Sequence, residues 1–201
     1  MFVQVIKGKV TDRDAFERLG DRWQEELRPG AVGYLGVTEG VTDDGRFVVA
    51  ARFESAEAAA QNSERPEQGD WFAEMEKVVE DVEFHNCSRV ETLFGGGKDD
   101  AGFVQVMCGQ VRDAAKADEM FTHASEAETT LQSVRPDVIG EVVAIHDDGG
   151  GYTDLVYFTS EADARAAEKR EMPADAQAMM QEFESALEVD EYLDLTHITL
   201  R

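Results

Sequence analysis

The sequence predicts an α+β protein made of two tandem copies of one β-α-β-β-α-β unit. Three observations carry this expectation. Phe2-Val3-Gln4-Val5 recurs as Phe103-Val104-Gln105-Val106, and Gly8 and Val10 recur as Gly109 and Val111, all at a spacing of 101 residues. In each copy the apolar period switches between two and about 3.6 residues, in the order strand, helix, strand, strand, helix, strand. The copies meet in a Gly- and Asp-rich stretch, Gly95 to Ala101, that offers almost nothing to bury. The expected organisation is a first repeat over 1–94, a linker over 95–101 and a second repeat over 102–201.

In the first copy, residues 2–8 alternate as a strand. Thr11 or Asp12 is placed to cap a helix carrying Phe16, Leu19, Trp23 and Leu27 on one face, which stops before Pro29. Two strands over 31–39 and 46–53 flank Thr42-Asp43-Asp44-Gly45, and Asp-Gly suits a tight hairpin because such turns need positive φ. Ser55 caps a short helix, the chain breaks at Arg65-Pro66, and Trp71, Phe72, Met75 and Val79 mark a second helical stretch. A long strand over 82–93 closes the unit.

The second copy reads in parallel: strand 102–109, a helix over about 113–134, strands 138–146 and 152–158, helical stretches after Ser160 and Ala174, and strand 189–200. Arg28-Pro29 with Gly33 matches Arg135-Pro136 with Gly140 at a spacing of 107. Phe53 and Ser55 match Phe158 and Ser160 at 105, and Phe84, Cys87 and Val90 match Tyr192, Leu195 and Ile198 at 108. The spacing changes at loops and element ends, where insertions are tolerated.

Charge narrows the function classes. The 43 acidic and 19 basic residues give a net charge of -24, which divides into -10 over residues 1–100 and -14 over 101–201. A field of that sign repels phosphate backbones and anionic lipid, so neither nucleic acid nor a membrane is an expected partner. There is no apolar run near membrane-spanning length and no basic, apolar leader, so the cytoplasm is the expected location. Cys87 and Cys108 form no disulfide framework and no metal-ligand spacing.

A β-α-β-β-α-β order puts two helices on one face of a four-stranded antiparallel sheet, the ferredoxin-like arrangement. The other face needs cover, and a second such sheet supplied by the same chain provides it at high effective concentration. On Asn62-Ser63-Glu64-Arg65-Pro66-Glu67-Gln68-Gly69-Asp70-Trp71-Phe72, Phe84-His85-Asn86-Cys87 and the Gly95-Gly96-Gly97 linker, the chain resembles the dimeric α+β-barrel superfamily. Within it the chain is similar to the antibiotic-biosynthesis-monooxygenase (ABM) group, especially two-repeat actinobacterial members. The resemblance covers nearly the whole chain. It implies an intramolecular dimeric α+β barrel and a pocket between helices and sheet lined by an Asn, a Trp and sometimes a His. It also implies a small apolar or aromatic substrate and monooxygenase chemistry without cofactor or metal.

Carried onto this sequence, the resemblance makes Trp71, Asn62 and His85 the catalytic candidates and Gln4, Arg52 and Trp23 the substrate-binding ones. A cofactor-free oxygenase needs an apolar cavity and polar groups that stabilise a phenolate or carbanion, which a Trp, an amide and an Arg can provide. Structural roles compete for each: Trp71 as a core anchor, His85 as a strand histidine, Asn62 as a helix end, and Gln4 with Gln105 as a facing pair inside the barrel. The second copy carries Met179, Leu193 and Asp194 opposite Trp71, His85 and Asn86, so the site belongs in the first repeat. A non-catalytic binding or stress-related protein is the rival reading. Haem binding ranks below both, because His85 falls on a strand whereas the haem-ligating His of that group sits on a helix. Duplication satisfies the usual dimer internally, so a monomer is expected, with a homodimer as the alternative.

Overall fold

The computed structural model describes residues 1–201, the side chains of residues 124–127 and 175 excepted. Its elements run β1 (Phe2–Val10), α1 (Arg13–Arg22), a π-helical turn (Trp23–Leu27), a 3-10 turn (Arg28–Gly30), β2 (Tyr34–Val41), β3 (Arg46–Phe53), α2 (Ala56–Ser63), α3 (Pro66–Met75), β4 (Val79–Cys87) and β5 (Arg89–Leu93). They continue as β6 (Phe103–Val111), α4 (Ala114–Thr122), α5 (Ala124–Val134), β7 (Val138–Ile145), β8 (Gly151–Phe158), α6 (Glu161–Ala167), α7 (Ala174–Ala186), β9 (Leu187–Leu195) and β10 (His197–Leu200). Two compact units result, one of residues 1–89 with 196–201 and one of residues 90–195.

The caps expected from the sequence are in place. Asp12 accepts from the Ala15 amide at 3.0 Å and starts α1, Ser55 accepts from Ala58 at 3.2 Å and starts α2, and Pro66 opens α3, where its missing N–H costs nothing. Gly45 closes the hairpin turn at φ +87°. The helix expected over 113–134 is instead two, α4 and α5, meeting at His123.

Each unit holds a five-stranded antiparallel sheet, β10-β2-β3-β1-β4 and β5-β7-β8-β6-β9, where the sequence suggests four strands. The expected strand 82–93 is two strands, β4 and β5, that belong to different sheets, and strand 189–200 is likewise β9 and β10. β4 and β9 are each nine residues long, matching β1 and β6. The chain beyond that length has no partner left on its own sheet, so it pairs with an open edge. β10 covers β2, with His197 opposite Val41 and Leu200 opposite Thr38, and this closes an edge that would otherwise present free backbone groups.

Register revises one sequence match. Gly36 lies opposite Arg52, and Gly140 opposite Tyr157, each just past a bulge in its strand, so Gly140 is the counterpart of Gly36 and not of Gly33. Both sit where a docking segment comes close. A Cβ on Gly36 would lie 2.5 Å from the Arg201 carbonyl, and one on Gly140 would lie 2.2 Å from the Gly96 carbonyl. The match of Phe84 with Tyr192 holds, since Phe84 pairs with Ile6 and Tyr192 with Met107 at the same place in each sheet.

In the first unit the helices cover the sheet face carrying Ile6, Phe47 and Val49. One core cluster gathers Phe16, Val41, Phe47, Met75 and Val79, and a second gathers Phe2, Phe53 and Ala59. In the second unit Tyr152 and Val143 pack under α4 and α7 with Ala117 and Ala186, and Phe103, Val156 and Phe158 pack with Ala164 of α6.

Candidate functional site

Between the two core clusters of the first unit lies a cleft of about 90 Å³. Strand alternation builds its floor: Gln4 and Ile6 from β1, Val37 and Glu39 from β2, and Val49, Ala51 and Phe53 from β3 all point toward the helices. The roof is Gly20 of α1, Trp23 and Gln24 of the π-helical turn, Asn62 of α2, and Gln68 and Trp71 of α3, with Tyr34 completing the wall.

The roof is held by hydrogen bonds and by ring contacts. Trp71 Nε1 donates to the Leu19 carbonyl at 2.8 Å, and Trp23 Nε1 donates to Gln68 Oε1 at 2.7 Å. Both indole N–H groups are thereby satisfied, so their contribution to a ligand is ring surface. The Trp23 and Tyr34 rings lie 4.9 Å apart and Tyr34 meets Phe53 at 5.6 Å. Arg22 donates two bonds, 2.9 and 3.0 Å, to the Glu74 carboxylate, pinning α3 to α1. Arg65 Nη1 donates to the Leu27 carbonyl and to Asn62 Oδ1, each at 2.9 Å, and so ties Asn62 to the end of the π-helical turn. That turn, closed by the Arg28 amide donating to the Trp23 carbonyl, is a rare form that recurs at functional sites.

Electrostatics single out Glu39. It keeps partial solvent access, yet burial of its carboxyl pushes the pKa up to about 7 against a lowering from Arg201, and Asp21 and Glu17 add to the rise. Burial also raises the Tyr34 hydroxyl, against lowering by its bond from Gln24. Gln24 Nε2 donates to that hydroxyl at 3.2 Å, while Gln24 Oε1 is buried and has no hydrogen-bond partner.

The structure brings Gln4, Trp23, Asn62 and Trp71 together in this cleft and places Arg52 and His85 elsewhere. Arg52 follows Ala51 on β3 and so points to the other face, where Nη1 donates to Thr38 Oγ1 at 3.2 Å. His85 pairs with Val5 between the inward positions Phe84 and Asn86, again on the opposite face, with Nε2 3.5 Å from Glu83. Gln4 faces the helices and donates to Asn86 Oδ1 at 3.2 Å. Gln105 makes the equivalent bond to Asp194 at 2.8 Å in the second unit. Glu39, Gln24, Tyr34 and Gln68 are lining residues that the sequence reading missed. Glu39 carried a usable signal, since it stands between Val37 and Val41 on the apolar parity of its strand.

In the second unit the counterparts of Ile6, Val37, Glu39, Val49 and Ala51 are Met107, Glu141, Val143, Asp154 and Val156 by strand register. Trp71 and Tyr34 give way to Met179 and Val138.

No family model and no curated protein matches the chain in sequence. Solved structures do share its fold end to end. A candidate monooxygenase from Fusobacterium nucleatum superposes with a TM-score of 0.76 at 9% identity, covering 100% of this chain and 93% of its own. One from Lactobacillus acidophilus gives 0.73 at 16% identity, covering 99% and 94%. An anthrone oxidase-like protein gives 0.71 at 12% identity, covering 100% and 92%. These similarities show that the chain shares the fold of these three proteins. Among the described residues no helix is long and apolar enough to cross a membrane.

Proposed function

We propose that the cleft of the first unit binds a small aromatic molecule and that the protein oxygenates it without a cofactor, as an ABM-like monooxygenase acting in the cytoplasm. The observation that carries this reading is the convergence of Trp23, Tyr34 and Trp71 on one cleft with the amides of Gln4, Gln24 and Asn62. Flat apolar walls suit an aromatic ring, and amides suit a hydroxyl or the oxyanion that forms from it. The shared fold with proteins described as monooxygenases supports the reaction class. The intramolecular dimeric α+β barrel expected from the repeats is the frame of this reading, with the chain working as a monomer.

The test is oxygen uptake with anthrone as probe. Asn62→Ala is expected to lose turnover by roughly 10²-fold through the lost amide, and Trp71→Phe to lose turnover by less, through lost ring surface, both with unchanged circular dichroism. Equal activity in both variants removes these residues from the mechanism. A non-catalytic small-molecule-binding protein is the second reading, favoured by the position of Arg52, which leaves the cleft without the cation expected to face an oxyanion.

A further inference from the structure

We propose that Glu39 is the proton acceptor of this site, taking the proton from an activated C–H of the bound aromatic molecule, with Gln24 positioning the substrate. The proposal rests on the oxygenase reading for its substrate class and adds a residue and a step.

Glu39 is the one carboxylate among the residues that line the cleft. It stands on the floor between Val37 and Val41, an apolar strand position where a charged side chain costs free energy, which marks it as a candidate for function. Its seat is built by α1. A Cβ on Gly20 would lie 3.0 Å from Glu39 Oε1, so glycine there, the least favourable residue inside a helix after proline, leaves room for the carboxyl. Gln24 follows Gly20 four residues on and shares its helix face. One end of the Gln24 amide is held by the Tyr34 hydroxyl and the other is buried without a partner. Reversing the amide leaves one end unpartnered just the same, so the site asks for a ligand group that can complete the bond. A carbonyl or hydroxyl on a ring, conjugated to the reacting carbon, does this and places that carbon near Glu39.

The charged groups around Glu39 are Glu17 and Asp21 on α1 and Arg201 beyond β10; Arg201 pairs with Asp21 at 2.5 Å. The two acids and the burial outweigh Arg201 and hold the carboxyl near neutrality, where a general base is most effective. In the step itself the substrate C–H bond breaks, its electron pair stays delocalised in the ring system as an enolate or phenolate, and an O–H bond forms on Glu39. No electron is transferred at this stage. Molecular oxygen is the oxidant of the step that follows.

The experiment separates proton abstraction from oxygenation. The full chain is incubated anaerobically with anthrone in deuterated buffer, and exchange at the methylene carbon is followed by NMR against buffer alone. Wild-type protein is expected to accelerate exchange, with a rate that rises with pH through about 7 as Glu39 becomes a carboxylate. Glu39→Gln is expected to lose roughly 10²–10⁴-fold of this acceleration, and Glu39→Asp to recover part of it. Exchange in Glu39→Gln equal to wild type, a flat wild-type profile, or no acceleration by the wild type each overturns the proposal. The wild-type profile decides the matter even if a variant fails to fold. Exchange without oxygen uptake in air would retain Glu39 as base and refute the oxygenase reading; oxygen uptake without exchange would do the reverse.

Discussion

Single residues show how the duplicated units diverged. Phe47 and Val49 face the helices in the first unit, and Tyr152 and Asp154 take their places in the second. Both added polar groups are buried without hydrogen-bond partners, and desolvation together with Glu141 raises the Asp154 pKa. An unsatisfied buried polar group costs about 1–3 kcal/mol. Asp154→Val, which restores the first unit's pattern, is therefore expected to stabilise the protein by that amount in urea denaturation; a loss of stability would mean that the carboxyl has a partner after all. The positions of Arg52 and His85 were not legible in the sequence for a related reason. On β3, Val48 and Ala50 are as buried as Phe47, so both faces are apolar and alternation alone does not say which one the helices cover. The aromatic candidates Trp23 and Trp71 were legible because helical periodicity points them inward regardless of strand parity.

At the scale of elements, caps, the Asp-Gly hairpin and the proline break were readable because each depends on a few adjacent residues. The π-helical turn was not, since Phe16, Leu19, Trp23 and Leu27 fit a regular helix equally well. The passage of β5 and β10 into their final sheets was also hidden, because an extended segment has the same alternation whichever edge it joins. Docking of β10 depends on Gly36, whose φ of +146° and close approach to Arg201 leave no space for a side chain. The Val37 amide donates to the Arg201 carbonyl at 2.5 Å and the Arg201 amide returns a bond to Val37 at 3.0 Å. Gly36→Ala is expected to release this strand, seen as faster hydrogen exchange at Val37 and Thr199, whose amides face across the β10–β2 pair, while β3 stays protected. Unchanged protection at both amides would show that the backbone absorbs the methyl group.

For the molecule as a whole, pH dependence follows from three acids with desolvated carboxyls. Glu39 and Glu141 are pushed up to about 7 and Asp154 is raised as well, each mainly by desolvation. In every case the folded state holds its proton to higher pH than the unfolded chain does. Between the ordinary carboxylate value of 4.5 and about 7 the folded state therefore binds more protons than the unfolded one, and stability falls as pH rises through that window. Mutual repulsion within a chain of net charge -24 acts in the same direction. Urea denaturation at about pH 5.5 should give a higher midpoint than at about pH 8; the opposite order would place these carboxyls in solvent.

The proposed cofactor-free oxygenation of an aromatic molecule in the first unit's cleft is tested by turnover of anthrone under isotopically labelled molecular oxygen, with protein freed of metal and flavin, followed by mass spectrometry of the product. One labelled oxygen atom per product is expected, formed faster than in protein-free buffer and strongly slowed in Asn62→Ala. Product formed no faster than in buffer, or formed without label, would contradict the account.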